Sequence, residues 1–359
     1  MINIWVGRMG FNASRTLVST FSSTLLLVLT AGLFFSCSRE KPDVVIYCAL
    51  DQNFSEPLLK AFEKKTGLKV QALYDVEAQK TVGLVRKITS EMNNPQCDIF
   101  WNNEIVNTIK LKNMGALESY KSPNAAGIPD GFKDSEGYWT GFAARARVFI
   151  INTELLPDPA AWPSSYKNLV DPAWKGKGGT AKPLTGTTAT HGAILFQVLP
   201  EAEARGYFEG LKENEVNLTS GNAHLMRLVR KGSFAFGFTD SDDFNVARVD
   251  AGNYPVAAVY PDQGEGEPGT LVLPNTVAMI KGGPNPEAAR KLIDYILSPE
   301  VEEKLAYSDS AQIPLHPGVK KPDYVKVPGK DFRPMAVDFE KAAEDYDHCQ
   351  EFFRELFIR

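Results

Sequence analysis

Apolar positions along this chain alternate between a two-residue and a helical period, and the alternation sets the architecture. Residues 44–50, VVIYCAL, form a short β-rich apolar run expected to be a strand. Residues 55–67 follow with Leu58, Leu59 and Phe62 on one helical face, Ser55 at the N-cap and Gly67 as the stop. Residues 68–74 are predicted as a second strand, 81–92 as a second amphipathic helix, and 97–101, CDIFW, as a third strand. The order β-α-β-α-β implies parallel strands joined by right-handed crossovers. In such sheets ligands bind beyond the carboxyl ends of strands. That rule singles out Asp51 and Gln52, residues 74–77, and Asn102, Asn103 and Glu104.

A second βα series is expected after a long extended run at residues 142–153. It comprises KGGTAKPL (177–184), helical segments at 191–199, 202–214 and 220–232, and the apolar strand FAFGF (234–238). Another extended run, TLVLPNTVAMIKG, covers 270–282, and residues 284–306 show continuous helical spacing opened by Pro286. A Pro- and Lys-rich stretch then leads to a terminal amphipathic helix at 338–357. Two long extended runs are what a two-lobed α/β chain needs to cross between lobes twice, and a cleft between lobes is a favoured ligand site.

The ends and the composition refine this picture. Arg8 and Arg15 precede a charge-free stretch from 16 to 38 containing LLLVLTAGLFF. This pattern is that of a secretory signal, its apolar centre of about 12 residues falling short of the ~20 that a spanning helix needs. Cys37 closes FFSC in the manner of a bacterial lipobox, so residues 1–36 are expected to be a signal peptide and 37–42 a linker anchored through lipidated Cys37, with the body in the periplasm or cell envelope. A net charge of −5 argues against nucleic acid as a partner. Cys48, Cys97 and Cys349 give no disulfide framework; on parallel neighbouring strands Cys48 and Cys97 would lie roughly 13 Å apart, beyond bridging range.

The ordered stretches VVIYCALDQNFSEPLLKAFEKKTGLKV, DIFWNNE, GYWTGFAARARVFIINT, DPAWKGK, GTTATHGA and NTVAMIKGGPNPEAARKLIDYILSPEVEEKLA resemble the extracellular solute-binding proteins of ABC importers, in particular the ferric-iron-binding periplasmic branch. The resemblance runs from about residue 42 to 318. It implies the type II periplasmic binding protein fold: two α/β lobes, each a mostly parallel sheet flanked by helices, two hinge strands, and ligand in the cleft. Lobe 1 is expected at 43–143 and 274–296, lobe 2 at 144–273 and 297–318, and a C-terminal extension at 319–359. The implied partners are an ABC permease with its ATPase, a small ligand or metal ion, and the membrane through the lipid anchor, the protein itself being a monomer. By the resemblance Asp51 and Glu104 stand where iron ligands occur. At the end of FAFGF, where the family carries two adjacent tyrosines, this chain has Asp242 and Asp243 instead.

Carboxylates are hard donors but less basic than phenolates, so this exchange bears directly on iron affinity. Asp51, Glu104, Asp242 and Asp243 are the metal-ligand candidates. Like charges so placed raise one another's pKa, which a bound cation relieves, and oxygen-rich sets suit hard ions. Asp240 or Ser241 can also serve simply as an N-cap, with Asp242 and Asp243 favouring the helix dipole; the two roles are compatible. GTTATH places Thr187, Thr188 and His191 just before an apolar helix, a place to hold a synergistic anion or an anionic solute, or merely a cap. Arg145 shares one strand face with Arg147 and is expected either to clamp a carboxylate or phosphonate or to form an ion pair between lobes. Trp101, Tyr138 and Trp139 either line the cleft or pack in the core, and His224, His316 and His348 are read as surface or packing residues.

The ligand expected is iron(III) or a related metal, or an iron-anion complex, with no resident cofactor; the alternative is a small organic or phosphonate-type anion. A metal-dependent hydrolase built on Asp240, Asp242, Asp243 and Glu104 is the rival. GxSxG, GxxxxGK[ST] and HExxH are all absent from the sequence, and no enzymatic activity is expected.

Overall fold

The computed structural model describes residues 41–75 and 81–358. The signal segment and Cys37 lie outside the described residues. In chain order the strands are β1 (Val44–Cys48), β2 (Val70–Tyr74), β3 (Ile99–Asn102), β4 (Leu117–Glu118), β5 (Thr140–Asn152), β6 (Gly178–Ala181), β7 (Asn217–Thr219), β8 (Phe236–Asp240), β9 (Val256–Val259) and β10 (Val272–Ile280). The α-helices are α1 (Gln52–Thr66), α2 (Val82–Ser90), α3 (Val106–Asn113), α4 (Gly186–Val198), α5 (Glu201–Glu213), α6 (Asn222–Arg230), α7 (Ser241–Val249), α8 (Pro286–Ile296), α9 (Pro299–Ala306), α10 (Phe339–Glu344) and α11 (Tyr346–Phe357).

The strands join in the order β2-β1-β3-β10-β5-β8-β6-β7, with β4 on β10 and β9 on β5. β1, β2 and β3 are parallel, as are β6, β7 and β8. Between these two parallel sets run β5 and β10, antiparallel to each other and buried along their whole length. They are the two extended runs seen in the sequence. At ~3.3 Å per residue, β5 alone crosses from one half to the other: its start pairs with β10 and its end with β8 and β9. Cys48 pairs in register with Trp101 rather than Cys97, and Cys48, Cys97 and Cys349 are all buried.

Local sequence explains most element ends. α1 buries Leu58, Leu59 and Phe62, and Gly67 stops it in the left-handed region at φ 78°, its N–H reaching the Glu63 carbonyl. α1 begins earlier than expected, with Asp51 at the N-cap; Ser55 is inside, its hydroxyl donating back to the Leu50 and Asp51 carbonyls. The helix expected over 284–306 is two, because Pro299 has no N–H to continue the first and instead opens the second. The terminal helix likewise divides at Asp345.

One core is built from Val44, Ile46, Phe62, Ile99, Trp101 and Leu292 with their neighbours. Leu297, Val301 and Leu305 pack into this same core. Residues 297–306 therefore lie with the first half, not the second as expected, because α9 presents its apolar face to β5 and α1's layer. Trp101 is wholly buried against Phe142, a packing role. A larger core joins α3 to α4, α5 and the two C-terminal helices. There Phe353 sits against Gly192 and stacks edge-on with Phe208, while Tyr346 meets Asn107 and Gln350 donates to the Pro183 carbonyl. The C-terminal extension thus straps α3 of the first half to α4 of the second.

Candidate functional site

The carboxyl ends of β1, β3, β6, β7 and β8 face one cavity of about 40 Å³, lined by Asp51, Asn103, Arg145, Thr187, Thr188, Asn222 and the three aspartates, among others. This is where the strand-end rule places a ligand, and the volume holds a few water-sized groups. Helices α4, α6 and α7 begin at its wall, at Gly186, Asn222 and Ser241.

Two buried arginines organise the site. Arg147, with no exposed surface, pairs with Asp240 through Nη1–Oδ1 at 2.7 Å and lies over the Phe238 ring. The other Asp240 oxygen accepts from Thr187 Oγ1 at 2.5 Å and from Asn222 Nδ2 at 3.0 Å. Asp240 is the positional N-cap of α7, but its side chain caps nothing; the capping role expected of it gives way to the stronger charge-assisted bond to Arg147. Arg145 donates Nη2 to Asn275 Oδ1 at 2.7 Å, and its Nε stands 3.5 Å from an Asp242 oxygen. One oxygen from each of Asp240, Asp242 and Asp243 lies within 4.8 Å of the others. Thr239 donates to Asp243 at 2.8 Å, and the Asp243 N–H to Asp242 at 3.0 Å.

Several expected site residues are elsewhere. Glu104 is fully buried and does not line the cavity: its carboxylate accepts from Asn102 Nδ2 (2.9 Å), the Asn107 N–H (3.1 Å) and Thr190 Oγ1 (2.7 Å). It accepts a first-turn N–H of α3 and ties that helix to α4. His191 is not at a helix mouth, because α4 begins five residues before it. It is buried between Tyr166 and Phe238, and burial, with nearby Arg147, holds its pKa well below the usual imidazole value. Gln52 is exposed and donates to Glu56. His316 is a buried partner of Glu302. Asn222 was not anticipated, although it opens a helix directly after a strand and so met the same rule. It donates to Thr187 Oγ1 (2.8 Å) and accepts from Thr188 Oγ1 (3.0 Å), fixing the hydroxyls at the cavity wall.

The model of the family described as bacterial extracellular solute-binding protein matches residues 58–330. The chain belongs to that family. This solute-binding protein is 24% identical to iron uptake protein A2 of Synechocystis sp., over 85% of this chain and 87% of that one. It is 25% identical to a Salmonella typhimurium periplasmic protein assigned to 2-aminoethylphosphonate binding, over 71% and 72%. Among solved structures, iron-bound HitA from Pseudomonas aeruginosa superposes with a TM-score of 0.79 at 23% identity, covering 88% of this chain and 99% of that one. The fold is accordingly that of the two-lobed type II periplasmic binding proteins. Solute-binding proteins of this kind bind rather than transform their ligands, which removes the hydrolase reading of the acidic cluster.

Proposed function

We propose that this solute-binding protein captures a hard metal cation, iron(III) first, together with an oxyanion, and delivers it to an ABC permease and its ATPase. The observation that carries the reading is the convergence of Asp240, Asp242 and Asp243 within 4.8 Å, with Asp51 on the same wall. Carboxylate oxygens are the donors that hard cations take. Asp242, Asp243 and Asp51 would hold the metal, and Asp240, fixed by Arg147, would orient the group. The oxyanion would sit at the start of α4, against Arg145 and the first-turn N–H groups at Thr187 and Thr188, whose hydroxyls already donate to Asp240 and Asn222. Glu104 is no longer part of the proposed metal set, and His191 no longer part of the anion site. Anchoring through Cys37 as a monomeric periplasmic lipoprotein completes the proposal.

A second reading has its own support: Arg145 and the start of α4 stand beside carboxylates that would suit an amine, as in an aminoalkylphosphonate. Calorimetric titration separates the two. Fe(III) supplied with citrate should bind at one equivalent and 2-aminoethylphosphonate should not. Tight binding of the phosphonate alone would overturn the metal reading in favour of the second.

A further inference from the structure

Where β5 and β10 cross between the lobes, their ladder breaks. The register shifts so that Ala143 and Ala144 of β5 stand opposite Pro274 alone, between the Leu273–Arg145 and Asn275–Phe142 pairs. Pro274 has no N–H to give, and Ala143 takes φ 42°, unusual for a residue with a Cβ. Buried backbone groups freed by such a bulge need other partners. Ala144 exchanges both its N–H and C=O with Ile313, each at 2.7 Å. The Ala143 N–H goes to Glu302 Oε1 at 2.7 Å. The Ala143 carbonyl accepts from Asn275 Nδ2.

That same Asn275 amide reaches the ligand cavity through Arg145. Its Nδ2 also donates to Gln312 Oε1 at 2.8 Å, and its Oδ1 accepts from Arg145 Nη2 at 2.7 Å. Asn275, Gln312 and Glu302 are each at most 1% exposed. One amide therefore clamps the bulge carbonyl at its nitrogen and the cavity's guanidinium at its oxygen, and cannot rotate without breaking both. Arg145 Nε makes no hydrogen bond among the described residues and stands 3.5 Å from Asp242. A cation at Asp242 would compete with Arg145, and an oxyanion would draw Arg145 toward itself; either would shift the group that Asn275 holds.

We propose that Asn275 is a positioning residue that couples occupancy of the cavity to lobe movement, by linking Arg145 to the bulge at Ala143. The proposal rests on the solute-binding role and not on which ligand is taken. Asn275→Asp tests it, since it keeps an acceptor for Arg145 but removes every donation from Nδ2. Arg145→Lys is the second variant, breaking the link from the other side. Small-angle scattering and calorimetry are run with Fe(III) added with citrate, with 2-aminoethylphosphonate and with inorganic phosphate. The wild type should compact with the probe it binds. Asn275→Asp should bind that probe within about tenfold of wild-type affinity yet fail to compact, and Arg145→Lys should lose compaction by more than it loses affinity. A fall in melting temperature with wild-type compaction would show a purely structural role and overturn the proposal. If wild type binds none of the probes, the ligand reading fails separately. The coupling is then read from the unliganded radius of gyration, which Asn275→Asp should change and which, if unchanged, overturns it. Should Asn275→Asp not fold, wild-type compaction in Arg145→Lys overturns the proposal.

Discussion

Asp240 lines the cavity with Asp242 and Asp243, yet its geometry assigns it a different task, and Asp240→Asn separates the two. The residue is 3% exposed and balances Arg147, which is wholly buried. It accepts from three side chains: Arg147, Thr187 and Asn222. The asparagine keeps the volume but removes the charge and turns an N–H₂ toward groups that are themselves donors. Removing one partner of a buried ion pair leaves the other uncompensated, at about 3–5 kcal/mol. At roughly 2 °C per kcal/mol for a chain of this size, the melting temperature should fall by about 6–10 °C. Asp243→Asn is the contrast: its oxygen can still accept from Thr239, so the expected loss is under about 1 kcal/mol, while the ligand-induced rise in melting temperature disappears. The assay is thermal unfolding of both variants with and without Fe(III)-citrate. A melting temperature within 2 °C of wild type for Asp240→Asn, or an intact ligand response in Asp243→Asn with a lost one in Asp240→Asn, would refute this division of roles.

Three further outcomes follow from the same structure. Burial, reinforced by Glu267 against the hydrogen bonds from Ser165 and Tyr166, pushes Asp262 up to about 6. A raised folded-state pKa stabilises at low pH and is lost as pH rises through about 6, so Asp262→Asn should gain up to ~3 kcal/mol over wild type above that pH and almost nothing below about pH 4; denaturant titration across pH 4–8 measures it. A Cβ on Gly192 would lie 2.7 Å from Phe353 Cζ. Gly192→Ala should therefore cost about 1–3 kcal/mol through overpacking of the C-terminal strap, and Phe353→Ala about 3–5 kcal/mol through the cavity it leaves; thermal melts rank them. Finally, since the described cavity wall contains no tyrosine, the Fe(III)-loaded protein should lack the visible phenolate-to-iron charge-transfer band in its absorption spectrum.

The architecture was largely legible because it is local. β-branched runs, the Leu58-Leu59-Phe62 stripe, the Gly67 stop and the two long extended runs each announce themselves within a few residues. The strand-end rule then singled out Asp51 and Asn103, and the family resemblance set Asp242 and Asp243 beside them. Glu104 and His191 were misplaced because their surroundings are tertiary. Glu104 is claimed by Thr190, 86 residues away, and His191 is buried by Tyr166 and Phe238 once α4 starts at Gly186. The same holds for α9, whose lobe is decided by which core its apolar face meets. Asp240 looked like a cap because it precedes a helix, but only the packed structure brings Arg147 within 2.7 Å to take its carboxylate. Asn275 gave no sequence signal at all, being one polar residue in a buried strand beside a proline.

The proposed function turns on metal binding by Asp242 and Asp243 in the interlobe cavity. Anomalous diffraction at the iron edge from crystals grown with Fe(III)-citrate tests it most directly. A single strong peak is expected within bonding distance of carboxylate oxygens of Asp242 and Asp243, with oxyanion density toward the start of α4 at Thr187 and Thr188. No peak in that cavity, or a peak that persists there in the Asp242→Asn, Asp243→Asn double variant, would contradict it.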